Sequence, residues 1–549
     1  MQTPAQQLLV RSSLPLRPAR ARKAQVVTAT SSTAHIAAAG TNSHARSFFG
    51  STEQPSGRIR RPPRIDKNMM MSMGIVVPAT SSTMTAVPLV RRRVTAAAVS
   101  STHSLTARPP SISYSTTATR SFSSRTPLLF TPGPLTTSVQ VKNALLQDVG
   151  SRDPYFLDQM HAVREKLVLG ANTTTDTHDS VLIQGAGTHA IESVLGSACS
   201  GPNDKVLILN NGAYGERQKQ ICKILKISFE SLDYSDDVAV SAADLEARLE
   251  ADGHSFSHVS FIHHETTAGV LNPLTELCQV VERFNAKTTT GKQLEIIVDS
   301  MSAFGAYEVD LQKKHKAVKY LISSANKCIE GVPGFAFAIY EKEALERLAE
   351  RKPKSLALDL FAQAKGLSTG NRQFRFTPPT QAILAYHQAL LEWEEEGGWK
   401  GRGGRYRENY DVIINGLEKK DFGLEFYVKP EYRGYIITTV LSPTNLLKNK
   451  EKWDFQFLYD FLATRGFVIY PGKLAKADSF RIGTIGKIYP EDCENFLLVL
   501  KQGFDKMGIT KQEILDGRAR LLESDVSGKS GGAGPNVEMA GQAGMKQSM

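Results

Sequence analysis

The stretch Tyr320-Leu-Ile-Ser-Ser-Ala-Asn-Lys-Cys-Ile-Glu-Gly-Val-Pro-Gly-Phe335 decides the fold. An apolar run ends in small polar residues and presents one lysine, Lys327. It then turns through Gly-Val-Pro-Gly into a second apolar run, 335–340. Short apolar runs bounded by turn residues read as buried strands. A lone lysine between two such strands is costly unless it is paired, neutralised or used covalently. The covalent use is a Schiff base with a carbonyl compound such as pyridoxal phosphate. Upstream, Glu295-Ile-Ile-Val-Asp-Ser300 ends another apolar strand on Asp299. An aspartate there can keep a pyridinium nitrogen protonated, which lets such a cofactor act as an electron sink. The competing reading makes Lys327 a loop lysine and Asp299 a helix cap, since charged residues are mostly exposed.

Three further segments bear on that choice. In Val181-Leu-Ile-Gln-Gly-Ala-Gly-Thr-His-Ala-Ile-Glu192 a strand runs into a glycine turn, and apolar residues at helical spacing follow. A glycine turn opening a helix lets backbone N–H groups approach a phosphate. It is neither a Walker loop nor a full G-x-G-x-x-G. Leu207-Ile-Leu-Asn-Asn-Gly-Ala-Tyr-Gly-Glu-Arg217 sets Tyr214 after a strand, where an aromatic can stack on a flat ring or simply pack. His258-Val-Ser-Phe-Ile-His-His-Glu-Thr-Thr-Ala-Gly269 spills from a strand onto polar residues. Its His-His-Glu run invites a zinc reading. Adjacent strand residues point to opposite faces and H-E-x-x-H spacing is missing, so no metal site is expected. Polar residues gathered after several strands fit a ligand site outside the carboxyl ends of an α/β sheet.

Taken in order, these segments resemble the class V aminotransferases, pyridoxal phosphate enzymes of fold type I. Further carriers are Leu129-Phe-Thr-Pro-Gly-Pro-Leu-Thr-Thr137, Ser355-Leu-Ala-Leu-Asp-Leu360, Arg375-Phe-Thr-Pro378, Gly466-Phe-Val-Ile-Tyr-Pro-Gly-Lys473 and Phe480-Arg-Ile-Gly-Thr-Ile-Gly486. The resemblance covers roughly residues 127–510. It is strongest to the branch that transaminates 2-aminoethylphosphonate with pyruvate. It implies that Lys327 carries the cofactor and shuttles the proton, and that Asp299 pairs the pyridine nitrogen. It implies that Ala186, Gly187 and Thr188 hold the phosphate, helped by Thr377 from a neighbouring subunit of a homodimer. Tyr214 would stack on the ring, Thr267 reach its phenolic oxygen, and Arg481 bind the carboxylate of pyruvate. One departure is Asp148-Val-Gly-Ser-Arg-Asp-Pro-Tyr155, where many relatives carry a Cys/Ser-Thr-Trp-Asp type of sequence near the substrate.

The implied architecture is α/β: a large cofactor domain over residues 126–396, with a mostly parallel sheet covered by helices, and a smaller α+β domain over 397–515. Helices are expected at 242–251, 274–285, 384–396, 453–465 and 490–507, with Gly397-Gly398 closing the third. The basic run 400–407 reads as a solvated face. Residues 516–549, Gly- and Ser-rich from 524 on, read mostly as a disordered tail. Five cysteines, an odd number without paired spacing, read as free thiols; Cys328 and Cys493 read as structural fillers.

Charge is unevenly spread. The net value is +11, yet residues 1–125 hold 17 Lys/Arg against two acids, leaving 49 basic and 53 acidic residues for the remainder. The catalytic part is therefore mildly acidic, with no electrostatic case for nucleic acid. No run of about 18 apolar residues suggests a membrane span. The leader is rich in Arg, Ser, Thr and Ala, a composition that matches an organelle transit peptide, here mitochondrial. Alternatives are an alanine–glyoxylate or serine–pyruvate type of transaminase, or a non-enzymatic binding protein with a basic tail. Absorbance near the visible edge separates enzyme from binding protein. Fusion of residues 1–125 to a reporter should send it to mitochondria; a diffuse cytosolic signal in imaging would remove the transit reading.

Overall fold

The computed structural model describes residues 126–289, 293–472, 474 and 477–528. The expected leader (1–125) and the last part of the expected tail (529–549) lie outside the described residues. The described chain opens on a short strand, β1 (Leu128–Leu129). There follow β2 (His178–Gln184), β3 (Lys205–Asn210), β4 (Ser228–Asp233) and β5 (His258–Ile262). A small hairpin pairs β6 (His264–Glu265) with β7 (Val270–Leu271). Then come β8 (Glu295–Asp299), β9 (Val318–Ser324) and β10 (Phe335–Glu341).

Seven of these strands form one sheet in the order β2-β10-β9-β8-β5-β3-β4. Only β10 runs antiparallel to its neighbours, so six strands point the same way. The strand sequences explain why. In β10 the run Phe-Ala-Phe-Ala-Ile-Tyr is buried throughout, without alternation. A strand apolar on both faces needs cover on both faces, and helices such as Pro154–Gly170, Gly187–Ala198 and Ala213–Leu225 supply it. The helix Thr380–Glu395 ends where expected, with Gly397 and Gly398 both at positive φ (95° and 67°).

The smaller domain carries β11 (Ile437–Leu441), β12 (Phe467–Val468), β13 (Tyr470–Pro471) and β14 (Ser479–Gly483). Three of them form an antiparallel sheet, β11-β14-β13, backed by the helices Phe455–Ala463 and Pro490–Lys506.

Three expectations need correction. The large domain does not begin cleanly at 126: β1 pairs in parallel with β12, and Phe130 stacks on Phe496 at 4.4 Å within the small domain's core. The boundary at 515 falls inside a helix, Lys511–Gly528. Ile514 anchors that helix in the core, and Gly517 lies so close to the Leu446 carbonyl that no side chain would fit there. Residues 516–528 are thus helical. The run 400–407 is not a solvated face either: in the helix Gly398–Asn415, Lys400 and Arg407 are exposed, but Arg402 and Arg405 are buried. All five cysteines are free and buried.

Candidate active site

The parallel strands deliver their carboxyl ends to one edge, where a cavity of about 190 Å³ opens. Ile262 lines it at the end of β5, His264 in β6, Asp299 at the end of β8, Ser324 at the end of β9, and Asn326 and Lys327 just beyond β9. Lys327 sits in the tight turn between β9 and β10, and its Nζ donates to the Pro132 carbonyl at 2.6 Å. Gly133 makes that approach possible. A Cβ on it would lie 2.8 Å from the Asn326 carbonyl oxygen and 3.1 Å from Lys327 Nζ, and its φ of 115° suits glycine alone.

Asp299 is buried and, among the described residues, has no ion-pair partner. Burial pushes its carboxyl up to about 7; the Met301 amide, donating at 2.9 Å, works against that rise, and nearby Glu265 adds to it. Glu265 is itself fully buried and raised by the same cause, despite bonds from the Thr267 hydroxyl (2.6 Å), the Thr267 amide (2.9 Å) and the Tyr214 amide (3.2 Å). A cationic ring nitrogen is the partner such an aspartate lacks.

On the other wall, Gly185 turns at φ 112° and the helix Gly187–Ala198 starts on Ala186, which has no side chain to cap it. A Cβ on Gly187 would lie 2.6 Å from Met301 Sδ. Ala186, Gly187 and Thr188 all line the cavity, so a helix N-terminus faces it, as an anion requires, with the Ala186 amide resting on His189 Nδ1 at 3.0 Å. Tyr214, in the first turn of the helix Ala213–Leu225, lines it too. Amine, buried carboxylate, anion cradle and aromatic wall meet in one cavity, and this donor set fits pyridoxal phosphate.

Sequence reasoning passed over three residues here. Arg217 lies in the quoted Tyr214 segment but was assigned no role. It lines the cavity, donates to Thr188 Oγ1 at 3.1 Å, lies 4.8 Å over the Tyr214 ring, and has no carboxylate partner among the described residues. Its three-residue spacing from Tyr214 on a helix was the available signal. His264 is buried with neither ring nitrogen hydrogen-bonded, packed near Tyr307 (5.9 Å). Burial first, then the Lys327 charge, pushes it down to about 3, so it is neutral. His263 points elsewhere, to Ser300 Oγ at 3.2 Å.

Thr266 is the third, and it, rather than Thr267, is placed against the cavity. The Thr267 hydroxyl is spent on Glu265 and on the Ala213 amide (3.1 Å), whereas Thr266 lines the cavity. Thr377 lies outside this cavity on an exposed loop, its carbonyl accepting from Gln184 Nε2 at 3.2 Å. Arg481, buried in β14, stands one residue behind the cavity wall: Nη1 donates to the Thr266 carbonyl at 3.1 Å and Nε to the Pro471 carbonyl at 3.1 Å. Among the described residues no carboxylate pairs with it, and burial lowers its pKa. The departing segment 148–155 is structural at Asp153, which caps the helix Pro154–Gly170. Cys328 is buried, and burial holds its thiol up to about 12, which favours the protonated form.

The raised Asp299 carboxyl has a consequence for protein freed of cofactor. The folded state keeps a proton that the unfolded chain gives up near pH 4, so this stabilisation is full below that value and is lost as pH rises through about 7. Asp299→Asn has no such proton and should flatten that part of the profile. Melting temperatures of both apoproteins between about pH 4 and 8 test this; parallel curves would mean that Asp299 does not titrate there.

Residues 140–442 match the profile of the family described as Aminotransferase class-V. A 2-aminoethylphosphonate–pyruvate transaminase of Bacteroides fragilis is 41% identical over 376 residues, 68% of this chain and 98% of that protein. A bifunctional phosphonoacetaldehyde hydrolase/aminoethylphosphonate transaminase of Clostridioides difficile is 40% identical over 375 residues, 68% of this chain and 56% of that protein. Among solved structures, ureidoglycine–glyoxylate aminotransferase from Bacillus subtilis superposes with a TM-score of 0.62 at 23% identity, covering 73% of this chain and all of that one (100%). Sheet order, cavity and sequence therefore agree, and the chain belongs to the class V aminotransferases, pyridoxal phosphate enzymes of fold type I.

Proposed function

We propose that this chain moves the amino group of 2-aminoethylphosphonate to pyruvate, giving phosphonoacetaldehyde and L-alanine. The observation that carries this reading is the end-to-end match, 41% identity over 98% of a relative bearing that name. When bound, pyridoxal phosphate supplies the carbonyl for amine exchange and the electron sink.

The chain's own residues do the rest. Lys327 Nζ would hold the cofactor and would hold and move the proton at the reacting carbon. Asp299 keeps the ring nitrogen protonated, using the charge that burial makes costly when unpartnered. The N-terminus of the helix Gly187–Ala198, with Thr188, would hold the phosphate, and Arg217 would add a cation on that side. Tyr214 and Met301 wall the cavity. Arg481 binds the acceptor carboxylate, for which its planar fork is suited; two of its nitrogens rest on the Thr266 and Pro471 carbonyls, and no carboxylate pairs with it among the described residues.

The active unit is proposed to be a homodimer in which Thr377 of one subunit reaches the phosphate in the other. Its exposure, and its place outside its own cavity, support this. The composition of residues 1–125 supports delivery to the mitochondrial matrix.

Alanine formed from pyruvate with 2-aminoethylphosphonate and a panel of amino acids as donors tests the substrate pair. Lys327→Ala should lose nearly all turnover; ordinary turnover in that variant would overturn the assignment. Arg481→Lys keeps the charge but not the paired geometry, roughly 1.5–3 kcal/mol for a charged hydrogen bond. It should lower pyruvate kcat/KM by about tenfold to a hundredfold and spare the half-reaction with the aminophosphonate, which has no carboxylate. Equal damage to both halves would take Arg481 away from pyruvate. Sedimentation at assay concentration should show a dimer; an active monomer would exclude the shared site.

A further inference from the structure

The buried cations at 402 and 405 belong to a polar stripe on the helix Gly398–Asn415: Arg402, Arg405, Tyr406 and Asn409, at i, i+3, i+4 and i+7. The stripe faces the protein interior and touches two segments far apart in sequence.

One is the catalytic turn. Glu330 stands three residues after Lys327, in left-handed backbone at φ 66°, and its amide donates to the Lys327 carbonyl at 2.7 Å. Glu330 Oε1 accepts from Tyr406 Oη at 2.6 Å and Arg405 Nη2 at 2.8 Å, with Arg402 Nη1 at 3.5 Å. Arg402 Nη1 also donates to the Cys328 carbonyl at 2.8 Å. The other segment follows β14, the strand of Arg481. Arg405 Nη1 donates to the carbonyls of Gly486 (2.6 Å) and Ile488 (2.9 Å), and Asn409 Nδ2 to those of Thr484 (3.1 Å) and Ile488 (3.0 Å). Glu396 closes the charge balance by accepting from Arg402 Nε and Arg405 Nε at 2.5 and 2.7 Å.

Two glutamates and two arginines, most of them buried, add little stability over apolar packing of the same shape. What the network does supply is geometry. It grips the residues next to Lys327 and those next to Arg481 from one rigid helix. We propose that Glu330, with Arg402, Arg405 and Tyr406, is a positioning device that holds the Lys327 turn in register with the Arg481 strand, so that the amine and the acceptor carboxylate meet at one distance. This rests on the roles given to Lys327 and Arg481 above.

The test uses holoenzyme. Glu330→Gln keeps shape but removes one charge. It should lower the melting temperature, raise the KM for pyruvate about tenfold and slow the donor half-reaction several-fold, the scale of one charged hydrogen bond. Adding Arg402→Gln restores charge balance. Stability should return while KM and the half-reaction rate stay impaired, since the Cys328 carbonyl has lost its arginine donor. Recovery of kinetics together with stability would reduce the network to a balanced core and overturn the proposal, as would an unchanged KM in Glu330→Gln. Should Glu330→Gln fail to fold, Tyr406→Phe removes the hydroxyl that reaches Glu330 Oε1 (2.6 Å) and the Cys328 carbonyl (3.2 Å) without changing charge, and should raise the pyruvate KM about threefold; wild-type kinetics there would likewise overturn it. Failure of the wild-type protein to make alanine from pyruvate would instead count against the functional reading.

Discussion

The whole site depends on a carboxylate kept dry. Asp299 ends a strand apolar on both faces, at the sheet edge where the polar residues of the cavity collect. Its desolvation is severe enough to lift its pKa to about 7. An aspartate so placed is stable as the acid or beside a cation, and a pyridinium nitrogen is a cation of the right shape. The six co-directional strands are what make the placement possible, because they put the ends of β5, β8 and β9 side by side within one cavity. Parallel order thus does chemical work: it brings Asp299 and Lys327 together although β9 separates them in the chain.

The second domain matters because it backs the cavity wall from behind. Arg481 reaches the large domain through the Thr266 carbonyl, and Thr266 itself faces the cavity. The chain enters this arrangement through β1, which is bound to the small domain, and then passes Pro132 and Gly133 over Lys327 before building the large one. A single pass from 128 to 134 therefore connects the small domain's core to the catalytic amine. Displacing that pass would disturb both at once.

Much of this was legible in the sequence. The runs ending on Asp299 and preceding Lys327 are continuous, apolar and bounded by turns, so strand identity and residue position come together. The choice between Thr266 and Thr267 was not legible. Beyond β5 the chain breaks its two-residue alternation to form the β6–β7 hairpin, and a one-residue shift there exchanges inside for outside. The stripe at 402–409 was misread for a different reason. Cations at helical spacing look like a solvated face, and only Glu330 and the carbonyls at 484–488, distant in sequence, show that they are internal. β1 was missed because two residues carry no periodicity.

The balance of charge in the cavity also explains what the site is built to accept. Its two buried acids, Asp299 and Glu265, are both shifted toward the protonated form by burial. Its cations, Arg217 and Lys327 on the wall and Arg481 behind Thr266, include two arginines with no carboxylate partner among the described residues. His264, neutral, adds no charge of its own. With the Asp299 charge matched by the ring nitrogen it would hold, Glu265 pushed toward its protonated form and the arginines charged, the rest of the site favours anions. A cofactor phosphate, a phosphonate and a carboxylate are all anions, and the two half-reactions need the first at all times and the others in turn. A site that must release one anionic substrate before accepting the other is better served by fixed cations than by groups that titrate near neutrality, because arginine keeps its charge through both exchanges.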